Sequence, residues 1–169
     1  MRKVIILPLA IAVAGIFMAA TSSQSLAQQP PPRKIVIKMY EVDDDHFKFD
    51  PAEIRLKVGE PVELVLANTG QTTHEVVTAL FALPEEIVVE SGEQCPGREP
   101  GTLVPCTEIV ARAIKEIEIR AGRSVSVIFT PEGDYFEAIE KGETLSFFLG
   151  CQITGHLEKG MKGVIIVEK

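Results

Sequence analysis

Four residues, one mid-chain histidine and three residues near the C-terminus, carry the types and spacing that chemistry needs. Cys151-Gln-Ile-Thr-Gly-His156-Leu-Glu-Lys-Gly-Met161 is a C-x4-H-x4-M loop, placed after one β-rich run and before another. Thiolate, imidazole and thioether are soft-to-borderline donors that suit copper in both of its oxidation states. A site that passes electrons must hold both states in nearly one geometry, and two His, one Cys and a weak axial Met meet that need. The loop supplies three of the four, so a second His must come from elsewhere. His74 is the natural candidate, because it opens a strand just after the Asn68–Thr73 turn. The remaining histidine, His46, lies in the charged stretch Asp43-Asp44-Asp45-His46-Phe47-Lys48 and is expected to be solvated.

The cysteine count is odd, with Cys95 and Cys106 close together in a Pro/Gly-rich stretch and Cys151 far from both. In an exported chain this suggests one disulfide and one thiol kept for another purpose. A Cys95–Cys106 bridge would close a short loop worth roughly 3 kcal/mol in the chain-entropy model. The rival reading, a metal site on these two thiols, lacks a nearby His or a third thiol.

The elements that must position these residues are short strands. Ile35–Tyr40 is β-rich; Glu53–Val58 and Pro61–Ala67 alternate polar and apolar residues with a Gly59-Glu60 turn between them. Ile114–Ile119, Ser124–Phe129, Thr144–Leu149 and Gly163–Val167 complete the set. About eight strands with tight turns predict an all-β, Greek-key β-sandwich. Residues 80–113 depart from this pattern, with four prolines and weak periodicity; they are expected to form a disulfide-stapled insert, with two turns of helix over 108–115. Phe129, Phe147 and Phe148 are expected in the core and around the site. Ile153, Leu157 and Leu149 are candidates for an apolar collar where His156 meets solvent.

Residues 1–27 read as a signal peptide: Arg2 and Lys3, an apolar run from Val4 to Ala20, then Ser25-Leu26-Ala27 before the cleavage point. That run is also at the low edge of what spans a bilayer, so an uncleaved anchor is the alternative. Residues 28–34 read as a flexible N-terminus, and 35–169 as one domain with a real core. The leader carries two of the 17 basic residues and none of the 24 acidic ones, which leaves the mature chain at −9. Such a charge argues against nucleic acid and anionic lipid surfaces as partners.

Beyond the ligand loop, Phe49–Ile54 followed by Val58-Gly59-Glu60-Pro61-Val62, Asn68-Thr69-Gly70 with His74, and Gly150-Cys151 through Met161-Lys162-Gly163 together resemble the cupredoxins, the small blue-copper proteins. The loop spacing is most similar to the rusticyanin and auracyanin type. The resemblance implies a cupredoxin-type sandwich binding one type 1 copper ion, with His74, Cys151 and His156 as strong ligands and Met161 as the weak axial one. The leader predicts a periplasmic or otherwise exported protein, and with three histidines, two already assigned, the chain reads as an electron carrier rather than an enzyme. Transient partners such as a cytochrome would dock at the His156 edge, and the chain is expected to be a monomer without a membrane span after cleavage. Copper binding for trafficking or storage is the alternative, disfavoured because only Met39 and Met161 remain in the mature chain. One departure stands out: Glu75 follows the first His, where many blue-copper proteins have an Asn that ties the ligand segments together.

Overall fold

The computed structural model describes residues 31–169; the expected leader and the start of the expected flexible N-terminus lie outside them. Among the described residues thirteen strands follow one another. They are β1 (Arg33–Asp43), β2 (His46–Asp50), β3 (Glu53–Lys57), β4 (Val62–Asn68), β5 (His74–Val76), β6 (Ile87–Ser91), β7 (Gln94–Pro96), β8 (Leu103–Pro105), β9 (Glu108–Ala111), β10 (Ile117–Ile119), β11 (Ser124–Phe129), β12 (Leu145–Gly150) and β13 (Lys162–Glu168). One short α-helix, α1 (Glu137–Glu140), precedes β12, and single 3-10 turns occur at Ala79–Ala82 and Asp134–Phe136.

One layer is a six-stranded sheet in the order β2-β1-β4-β11-β6-β9, in which β1 runs parallel to β4. The other is built from β12-β13-β3 and the pair β10-β5. A bridge between Val77 and Gly150, with hydrogen bonds of 2.9 and 3.1 Å, joins those two parts. The period-two pattern decides which side chains enter the interior. In β4, Val62, Leu64, Leu66 and Asn68 point inward and are buried. Ile37 and Met39 of β1 do the same, and across the sandwich they face the layer carrying Ile54, Leu56, Ile165 and Val167, all at most 2% exposed. Each such side chain contributes about 1.5–3 kcal/mol by leaving water.

Segment 80–113 departs from the sequence reading in two ways. It supplies β6 and β9 to the main sheet, so the strand number exceeds the expected eight. Residues 108–115 are not helical: 108–111 form β9, paired antiparallel to β6 from Ile87↔Ala111 to Glu90↔Glu108. Pairing to an open sheet edge outweighs the weak helix propensity of EIVARAIK, because propensity sums to little over two turns. The Cys95–Cys106 disulfide is formed and bridges β7 to the turn after β8. At the other end, β1 starts at Arg33, so Arg33 and Lys34, expected in the flexible lead-in, pair with Val62 and Glu63.

Candidate metal centre

The bridge between Val77 and Gly150 is what brings the two halves of the site together. It makes β5 and β12 neighbours, so His74 at the start of β5 faces Cys151 just past the end of β12. The loop after Cys151 folds back in tight turns. His156 N–H donates to Ile153 O at 3.0 Å, Met161 N–H to His156 O at 3.0 Å, and Cys151 N–H to Met161 O at 3.2 Å. Gly155 and Gly160 adopt φ of 85° and 94°, which glycine tolerates without the Cβ clash.

His74, Cys151 and His156 converge so that one donor atom of each lies within 4.8 Å of the others, all three buried. His74 Nδ1 and His156 Nδ1 are 3.3 Å apart, and His156 Nδ1 is 3.3 Å from Cys151 Sγ. Two imidazole lone pairs and a sulfur facing one another at these separations repel unless a proton or a cation sits among them. The donor set and its convergence therefore fit a soft-to-borderline metal ion such as copper. Met161 is fully buried, with its main chain bonded to both Cys151 and His156.

The surroundings favour neutral ligands before a metal arrives. Burial lowers both imidazole pKa values below 6.5; for His74 the nearby Glu41 carboxylate opposes the shift and His156 adds to it. Burial pushes the Cys151 thiol above 9.0, against the pull of the Glu75 and Ile153 backbone N–H groups. Glu75 does tie the ligand segments together. Its N–H donates to Cys151 Sγ at 3.3 Å, and its Oε2 accepts from Gln152 N–H at 3.1 Å.

Three residues that the sequence reading did not assign complete the site. Phe47 packs edge-on against His156 at 4.8 Å and against His74 at 6.0 Å between ring centroids. Asn68, 2% exposed, donates to Thr72 O and Ile119 O at 2.8 Å and accepts from Gly70 N–H, which holds the turn leading to His74. Glu41 reaches the same turn from β1. A usable signal for Glu41 was present, since it continues the inward phase of Ile35, Ile37 and Met39. His46 stands apart from the cluster, exposed and hydrogen-bonded to Asp43, as expected of a solvated residue. The proposed collar is only partly formed: Leu157 is exposed and Ile153 half-buried, but Leu149 is fully buried because it is in phase with the core. Phe148, expected in the core, is 51% exposed for the converse reason.

No protein-family model matches the chain. The copper-resistant cuproprotein CopI of Rubrivivax gelatinosus is 30% identical over 132 residues, covering 75% of this chain and 63% of that protein. The chain thus spans less than two thirds of that relative's length. Among solved structures, a Campylobacter jejuni multicopper oxidase aligns with a TM-score of 0.58 at 12% identity, over 84% of this chain and 31% of its own. The McoA multicopper oxidase of Aquifex aeolicus gives 0.55 at 12%, over 84% and 30%. A copper-containing nitrite reductase of Thermus scotoductus gives 0.51 at 13%, over 81% and 31%. These likenesses concern the fold, and together with the sheet topology they establish an all-β sandwich of the cupredoxin type.

Proposed function

We propose that this chain is a mononuclear blue-copper protein that carries one electron at a time between redox partners. The observation that carries the reading is the buried convergence of His74 Nδ1, Cys151 Sγ and His156 Nδ1. Met161, buried in the same loop, is the proposed weak axial donor, in keeping with the C-x4-H-x4-M spacing of the rusticyanin and auracyanin type. Bound there, copper would supply Cu(I)/Cu(II) chemistry.

The chain's own residues do the rest. The Glu75 N–H directed at Sγ stabilises a thiolate, and its carboxylate locks Gln152, so the two ligand segments move as one body. Phe47 fills the space beside both imidazoles and keeps water out. His156 retains 9% exposure where His74 has none, so the His156 edge is the proposed route for electrons, with exposed Leu157 next to it for weak, fast docking of a partner such as a cytochrome. The third histidine is committed to Asp43, so the reading is a carrier rather than an enzyme. The Cys95–Cys106 disulfide supports an oxidising, exported location such as the periplasm.

A second reading, copper handling in resistance, is favoured by the name of the CopI relative. One experiment addresses both. Copper(II) added to the wild-type protein is expected to give an intense visible band that a reductant bleaches reversibly and that Cys151→Ser lacks. A colourless product would sink the carrier, and rapid loss of copper to an acceptor protein would select the second reading.

A further inference from the structure

β1 carries Ile35, Ile37, Met39 and Glu41 on the face turned toward the interior, and the last of these is a carboxylate where the alternation calls for an apolar residue. The β1–β2 register shifts between Glu41 and Asp43, which marks a local irregularity of the kind that re-aims a side chain. Glu41 Oε2 accepts from Gln71 N–H at 2.9 Å, and Oε1 accepts from Thr72 N–H at 3.0 Å and from the Thr72 hydroxyl. A Cβ at Gly70 would collide with the Glu41 carboxylate and force it to shift from its place on the turn, so the glycine leaves room for this contact. On the far side of this contact is His74. Its Nε2 is fully buried, is 3.2 Å from Glu41 Oε1, and has no aligned hydrogen-bond partner among the described residues.

A buried ring nitrogen without a partner is costly, and the nearest acceptor is an anion. An N–H on Nε2 directed at that anion leaves Nδ1, the atom turned to Cys151 and His156, with its lone pair free. From this juxtaposition we propose that Glu41 is a positioning residue of the metal centre: it holds His74 in the Nε2–H tautomer and, by its charge, favours the oxidised over the reduced metal. The proposal deepens the copper reading and rests on it for its second half only. The tautomer exists without metal.

The test uses wild type, Glu41→Gln and Thr72→Val. Nitrogen-15 NMR of the metal-free protein should show His74 as the Nε2–H tautomer in wild type and Thr72→Val, and a mixture in Glu41→Gln. Affinity measured with Cu(II) and Cu(I) separately should fall about 10–100-fold for Cu(II) in Glu41→Gln and less for Cu(I). In Thr72→Val, which loosens the turn but keeps the charge, the Cu(II)-to-Cu(I) ratio should hold. An Nδ1–H tautomer in wild type overturns the proposal even if Glu41→Gln does not fold. So does an unchanged affinity ratio in Glu41→Gln, or a Thr72→Val that reproduces its effects. A wild type that binds copper without a Cys-dependent band refutes the blue-copper reading instead, and the tautomer still decides the Glu41–His74 contact.

Discussion

At the scale of single residues, the site is a set of groups whose metal-free protonation states are fixed by burial. Both imidazoles are neutral at pH 7 because burial lowers them, and the thiol is protonated because burial raises it. Metal entry must therefore displace one proton, from Cys151, and none from the histidines. Copper(II) binding at pH 7 in weak buffer is expected to release about one proton per ion, so apparent affinity rises about tenfold per pH unit near neutrality. A calorimetric titration in two buffers of different ionisation enthalpy measures this directly. Release of two or more protons would mean that a histidine is charged in the metal-free protein. Cys151→Ser should abolish the release with the visible band.

At the scale of elements, strand pairing decides what local sequence leaves open. Alternation in β4 or β11 is strong enough to place those strands without a partner in view. In β9 it is not, and the segment reads as helix until the edge of β6 claims it. The β7–β8 hairpin is different again. Leu103 and Val104 are 66% and 44% exposed, so apolar burial contributes little and the Cys95–Cys106 bridge is its main restraint. Replacing both cysteines by serine should cost about 3 kcal/mol against opening of this hairpin, with no change in the visible band. Faster amide exchange confined to residues 93–107 is the expected outcome. Loss of copper binding in that variant would show that the hairpin supports the centre.

At the scale of the whole molecule, buried titratable groups set how the fold answers acid. His74 and His156 have folded values below 6.5, so beneath that pH the unfolded chain binds more protons and stability falls as pH drops. Glu41 adds to this with the same sign. Burial alone would raise its pKa, but hydrogen bonds from Thr72, Gln71 and its own segment outweigh burial and pull it from 4.5 to about 2. Its contribution is present above pH 4.5 and is lost as pH falls to about 2. Acid also relieves the net charge of −7, but that repulsion is spread over exposed, salt-screened groups and is the smaller effect. The urea midpoint of the metal-free protein should decline steadily from pH 7 to pH 3, and Glu41→Gln should flatten the curve below pH 5. A midpoint that rises on acidification would show that charge repulsion dominates.

The sequence by itself determined the donor types, the C-x4-H-x4-M spacing, the disulfide partition and most of the core strands, because each is written in neighbouring residues or a period of two. It also singled out His74, since His46 sits in a run of charge that no sandwich would bury. Only the tertiary structure decided that Glu75 binds both Cys151 and Gln152, that β9 completes the sheet, and that Leu149 turns in while Phe148 turns out. It alone put Glu41 against His74, 33 residues along the chain. Those contacts join strands distant in sequence, and their geometry depends on register and on one bridge, Val77 to Gly150, that no local pattern encodes.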